Sequence, residues 1–332
     1  MDTTQSLRRS PLLYSSWLTA TGLLVATLVL LGINVMLWAG LRFEPPPVSF
    51  IQGQGVYVAE MLLVVAYSAM GWLLASRLPR NPLGWLFLFI GGGFVMQMAI
   101  TFVVQVGHQA FRQLDPLVLA GAWLSSSVHL PTLVLAFAAI FLLFPDGRPL
   151  SGRWAALGWA CALGTLLVVI GVGLSPVGLI WYPSLANPFA APAAYEPVLL
   201  ALALAGLGLV VLGVFGATVS MGVRYRRSDS RQKAQLRWVA VAVMLLALCG
   251  LPFIVARYAL QMGYAQGELL MLVALAAGGF LPVAAAIAVL RRRLYDIDLI
   301  LNRAFVYIPL TGILGGLYAA GVALFQRLFV TV

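Results

Sequence analysis

The chain has 332 residues, of which 62% are hydrophobic and only 9% charged, with a mean hydropathy of +0.99. Soluble domains carry about 25% charged residues, so this chain cannot cover a water-facing surface of ordinary size, and its solvent must be lipid. A net charge of +10 would point to nucleic acid in a soluble protein. In a lipid-embedded chain, basic residues collect in cytoplasmic loops and set orientation, so no nucleic-acid partner is expected.

About 20 apolar residues make one helical crossing. On that measure nine candidate spans follow one another, roughly over 16–40, 57–76, 83–106, 116–144, 154–175, 197–222, 238–259, 268–290 and 305–327. They predict an all-α polytopic bundle forming a single membrane domain over residues 1–332. Arg8 and Arg9 precede the first span as in a signal peptide, but its apolar run is too long for a signal h-region and reads as an uncleaved span. The second span carries Glu60 near its outer end. The third contains "GGG" (91–93) and the sixth "GLGLVVLG" (206–213). No strand precedes either cluster, so they fail as nucleotide loops and fit helix packing.

The fourth span is long and holds "SSS" (125–127), His129 and Pro131. Proline there predicts a tilt or kink and frees a backbone carbonyl about one turn back. A neutral His129 bonded to that carbonyl is the plain reading. A ligand- or proton-sensing residue between helices is the functional one. Cys161 and Cys249 both fall in apolar runs, so neither a disulfide nor a zinc site is indicated. No cofactor or metal is called for.

Alternation of nine spans with the N-terminus inside leaves Arg42, Arg112, Arg257 and Arg327 outside and places the other sixteen Lys and Arg inside. That bias fits the positive-inside rule and predicts an N-in, C-out topology. The outside loops "FEPPPVSF" and "WYPSLANPFAAPAAYEP" carry aromatics suited to the interface. They are too short to be sensor domains. Glu60, His129 and Arg257 are the ionisable candidates within spans, and such residues default to functional hypotheses. Glu60 and Arg257 share a depth, so they can pair across the bundle or each snorkel to the interface.

The inside loops are the most polar part of the chain. In "RYRRSDSRQKAQLRW" (224–238), Asp229 can cap a helix beginning near Ser230, with Gln232 in capping-box spacing. The remainder reads as a solvated basic face or as a contact for lipid phosphate or a partner. In "RRRLYDIDLILNR" (291–303) and the following Ala304, helical spacing gathers Leu294, Ile297, Ile300, Leu301 and Ala304 on one side, with Leu299 the exception. Arg291, Arg292, Tyr295, Asp296, Asp298, Asn302 and Arg303 lie on the other. That is the pattern of an interfacial helix with arginines near anionic lipid. In the ninth span, Gly312, Gly316 and Ala320 form a small-residue stripe for close helix approach.

"RRRLYDIDLILNRAFVY" resembles a string found just before the final membrane hairpin of a group of bacterial polytopic sensor histidine kinases. "RNPLGWLFL" (80–88), "LLFPDGRPLSGRW" (142–154) and "SRQKAQLRW" (230–238) are similar to other stretches of the same input region, in the same order and on the same inside face. The resemblance implies a bacterial inner-membrane sensory module whose inside loops couple the bundle to a cytoplasmic kinase or other output. Asp146 and Arg148 of "FPDGR", with Arg291, Arg292, Arg293, Tyr295, Asp296, Asp298, Asn302 and Arg303, are the expected coupling elements. In those kinases a further span, a phosphoacceptor helix pair and an ATP-binding domain follow the ninth span; here the sequence stops there. His108 (outside) and His129 (within a span) cannot stand in for the phosphoacceptor, so the chain is expected to be no enzyme. The expected partners are the bilayer, an output module, and a second copy of the chain or subunits of a larger membrane complex. An accessory subunit is the competing class. A transporter fits less well, because no second titratable group is placed to form a relay.

Overall fold

The structure is a computed structural model and describes residues 11–40, 54–110, 115–182, 185–254 and 264–290. Among the described residues there is no strand. The helices are α1 (Pro11–Gly40), α2 (Gln54–Arg77), α3 (Pro82–Ala110), α4 (Pro116–Leu124), α5 (Leu130–Leu143), α6 (Gly152–Gly173), α7 (Glu196–Arg227), α8 (Ser230–Ile254) and α9 (Tyr264–Leu290). One turn of π-helix, Ser125–His129, joins α4 to α5 without a break. Seven helical stretches are long and apolar enough to cross a membrane: Ser15–Trp38, Gly55–Arg77, Pro82–Val104, Pro116–Leu143, Gly152–Gly173, Ala193–Arg227 and Leu269–Ala288. They correspond to seven of the nine expected spans. The expected seventh span falls on α8, whose apolar part is the shorter stretch Leu236–Leu246. The ninth span, Arg257, the coupling residues Arg291 to Arg303, and Gly312, Gly316 and Ala320 lie outside the described residues.

Helix boundaries follow local chemistry. Asn81 caps α3, accepting the Leu83 N–H at 3.0 Å on its side-chain oxygen, with Pro82 in the first position. Asp115 does the same for α4, accepting the Leu117 N–H at 2.8 Å ahead of Pro116. Both use a side chain to satisfy donors that a helix start leaves unpaired. Asp229 stands before α8, and its carbonyl accepts the Lys233 N–H at 2.9 Å, so α8 begins where the sequence places it. α7 carries Glu196 in its first turn and Arg224, Arg226 and Arg227 in its last, the charge order that suits the helix dipole.

The bundle wears its apolar residues on the outside. Leu117 is 82% exposed, Met36 78% and Trp159 77%. Such a surface suits lipid and cannot drive association within it, so contact depends on how closely backbones approach. α6 and α7 lie antiparallel with Gly164 facing Gly206, each glycine's missing Cβ standing 2.6 Å from the other's carbonyl oxygen. Gly171 fits against Leu199 and Ala203, and Gly213 against Cys161. In the α2–α3 pair, Gly71 lies against Leu88, Gly84 against Ala75 and Gly91 against Ser68. The clusters at 91–93 and 206–213 therefore contain packing residues, as expected. Gly164, Gly171, Gly71 and Gly84 complete the seams.

Between these pairs a central core forms around Tyr67, Phe87, Ile90, Ile140, Phe144 and Leu281. Tyr67 is fully buried, donates its hydroxyl to the Gly278 carbonyl of α9 at 2.8 Å, and meets Phe137 edge-on at 6.1 Å. Gly206→Leu places a branched side chain where a carbonyl already stands, and is expected to destabilise the α6–α7 pair by roughly 1–3 kcal/mol or more. Thermal unfolding of the protein in detergent should show it as a lowered midpoint.

Candidate functional site

Two polar clusters occupy opposite ends of the bundle. α3 connects them, and the twenty-one residues from Asn81 to Thr101 span roughly 30 Å of helix.

At one end, Arg224 in the last turn of α7 is 8% exposed. Its Nη2 donates to the Leu142 carbonyl at 3.2 Å and to the Arg148 carbonyl at 2.8 Å, and its Nη1 lies 3.6 Å from Asp146 Oδ2. The guanidinium thereby holds both sides of the turn that follows α5. Asn81, while capping α3, donates from Nδ2 to the Pro145 carbonyl at 3.2 Å. Gly147 closes the turn with φ +74°, a left-handed backbone that disfavours a side chain; a Cβ there would also stand 2.7 Å from Asn81 Oδ1. "RNPLGW" and "FPDGR", far apart in sequence, thus share one node whose central residue is Arg224.

The expected coupling residues Asp146 and Arg148 both belong to this node. Arg148 enters through its backbone carbonyl. Arg224 is not singled out by the sequence because it reads as loop, yet α7 continues through Arg227. Its periodicity carries the signal: Gly213, Gly216, Ser220 and Arg224 recur at helical spacing on the buried face. The basic loop is therefore a solvated face only in part, with Arg226 and Arg227 exposed and Arg224 buried.

At the other end, the segment after α6 folds back into the bundle. Asn187 donates from Nδ2 to the carbonyls of Gly173 and Ser175 at 2.9 and 2.8 Å, and accepts the Phe189 N–H at 3.0 Å. Trp123 Nε1 donates to the same Gly173 carbonyl at 2.6 Å and its ring meets Phe189 edge-on at 4.9 Å. So anchored, the segment inserts Tyr182 between α3 and the π turn. Tyr182 is almost fully buried and its hydroxyl lies 3.2 Å from Thr101 Oγ1. The Trp181 N–H donates to Ser126 Oγ at 3.3 Å, and Gln97 Nε2 donates to Ser125 Oγ at 2.7 Å. Burial above all pushes the Tyr182 phenol above the ordinary tyrosine range; the Thr101 and Ser125 hydroxyls beside it pull the other way, and the Glu60 carboxylate adds to the rise. The aromatic expected to anchor a loop at the interface is instead a buried polar contact.

The π turn has a sequence cause. Pro131 has no N–H for the carbonyl four residues back, and a π turn, whose bonds span five residues, passes over the gap. The expected tilt or kink is thus accommodated without a break. Among the described residues no hydrogen bond of the His129 ring to a carbonyl is seen; Thr132 Oγ1 donates to the carbonyl oxygens of Val128 and His129, both at 2.8 Å. The His129 ring meets Phe94 edge-on at 6.1 Å and packs over Gly93. Glu60 does not snorkel, being 4% exposed inside the bundle. Its expected partner Arg257 lies outside the described residues. No known protein family, curated protein or solved structure matches the chain.

Arg224→Met removes a charged donor from two carbonyls and is expected to cost roughly 2–3 kcal/mol. Hydrogen exchange should accelerate at 144–150 before it does elsewhere. Asn187→Ala removes three hydrogen bonds and should cost a similar roughly 2–3 kcal/mol, read as faster proteolysis of the 174–192 segment at unchanged helix content.

Proposed function

We propose that the chain is a membrane-embedded sensory input module, similar in role to the input region of bacterial two-component sensor histidine kinases. In this reading it sits in a bacterial inner membrane with nine spans, N-in and C-out, and carries no catalytic step of its own. The Tyr182 cluster faces outward and receives the stimulus. The Arg224 node faces the cytoplasm and hands the response to an output module, with 291–303 as the further coupling segment. The observation that carries the reading is the node itself, where Arg224 and Asn81 tie two of the resembling inside motifs to the ends of α3, α5 and α7. The competing reading, an accessory subunit of a larger membrane complex, draws support from the extensive apolar surface. A transporter has less support, since the polar clusters sit at the two ends with the aromatic core between them.

Affinity purification of the tagged chain from its native membrane in mild detergent, followed by mass spectrometry, separates the readings. A co-purifying kinase, cyclase or response-regulator system is the expected outcome, and replacement of Arg291, Arg292 and Arg293 should uncouple it. A stoichiometric set of respiratory, photosynthetic or transport subunits would establish the accessory role instead.

A further inference from the structure

Near the Tyr182 cluster two buried oxygen atoms have no hydrogen-bond partner among the described residues, Gln97 Oε1 and the Tyr57 hydroxyl, and the buried Glu60 lies one turn from Tyr57 on α2. Glu60 is 4% exposed and takes part in no hydrogen bond or ion pair among the described residues. The offset that sets Ser68 against Gly91 and Ala75 against Gly84 sets Glu60 level with Ala99, between Gln97 and Thr101. Gln97 is also 4% exposed; its amide N–H is given to Ser125 and its Oε1 has no partner. Tyr57 stands one turn from Glu60 on α2, is 8% exposed, and its hydroxyl is likewise unpaired.

An unpaired carboxylate inside a bundle is strongly disfavoured, and ionisable residues at such depths mark ligand or ion sites. Every atom in question is oxygen, the donor type hard cations take. A single carboxylate balances a single positive charge. Among the described residues no three His, Cys, Asp or Glu side chains converge, so a site built for a divalent or transition metal does not form there.

We propose that Glu60, Gln97, Tyr57 and Tyr182 form a binding site for one monovalent alkali cation. The Glu60 carboxylate supplies the counter-charge, and Gln97 Oε1 and the two phenol oxygens are neutral ligands. Tyr182 brings the 174–192 segment to the site, so occupancy ties that segment to α2 and α3. The inference deepens the sensory reading and rests on it for its consequence, since there the cation is the stimulus; binding itself requires no output partner.

The test uses the purified full chain in lipid nanodiscs, heated at a fixed, mildly alkaline pH in NaCl, KCl or choline chloride at matched ionic strength. Tryptophan fluorescence follows unfolding. A ligand held only by the folded state raises the midpoint by mass action, so one alkali cation should raise it saturably above choline chloride. Glu60→Gln should abolish that difference, whatever its own midpoint. Gln97→Leu should weaken the half-saturating concentration by about tenfold and serves as the test if Glu60→Gln does not fold. Equal midpoints in all three salts, or a difference retained in both variants, would overturn the proposal. Those results would leave the sensory reading in place with another stimulus, because partner capture tests it separately.

Discussion

The arrangement depends first on how closely backbones approach at two glycine seams. In lipid, burying a leucine against another leucine gains little over leaving it in the acyl chains, so helix association rests on close contact and on polar bonds. The Gly164–Gly206 contact and the Gly84–Ala75 contact supply the first. Everything chemically interesting is placed by them. The α6–α7 seam sets the height at which Arg224 meets the turn after α5 and Gly173 meets Trp123. The α2–α3 seam sets Glu60 level with Ala99, between Gln97 and Thr101.

The second constraint is polar. Without water, an unpaired donor or acceptor is expensive. The chain meets this differently at its two ends. At the Arg224 node, the two terminal nitrogens of the guanidinium are divided between two carbonyls and a carboxylate, and Asn81 both caps a helix and holds Pro145. Side chains used twice in this way leave little freedom, and the left-handed Gly147 fixes the turn further. Near Tyr182 the bonding is partial. Gln97 and Ser125 satisfy one another on one edge only, and the Tyr57 hydroxyl and Gln97 Oε1 are left over. Partly satisfied buried networks are where local rules yield to function.

Much of the fold is legible in the sequence because lipid imposes a coarse rule. A run of apolar residues of sufficient length must be a helix, since nothing else satisfies its backbone there. Seven such stretches appear where their hydropathy places them, and Asp229 and Pro116 mark helix starts that local chemistry dictates. The sites are less legible. Glu60 reads as an interfacial residue from its position near a span end, because depth along a helix says nothing about which way the residue faces. Tyr182 reads as an interface aromatic for the same reason; only the anchoring by Asn187 and Trp123 turns its segment inward. Arg224 is hidden by the assumption that a charge ends a span, whereas a helix can carry a buried cation past that boundary if carbonyls await it.

The two clusters are joined by continuous, well-packed elements. α3 carries Asn81 at one end and Gln97 and Thr101 at the other. α4 and α5 carry the π turn at one end and the turn at Pro145 at the other. A ligand shifts a conformational equilibrium only through unequal affinity for its states, so a sensing site must contain groups that are unequally satisfied with and without it. The Tyr182 end gathers such groups on several side chains at once. At the clasp, by contrast, the carboxylate and both carbonyls are engaged, and what Arg224 leaves over is its Nε, a lone donor. A bundle that responds in the direction the proposed function requires, from the Tyr182 end toward Arg224, would be built with the unsatisfied cluster as receiver and the tightly bonded clasp as the part that moves as a unit. Under the proposed function, α3 and the α4–α5 helix would be the elements that carry the signal, because they place one residue set in each cluster while packing against the same aromatic core around Tyr67.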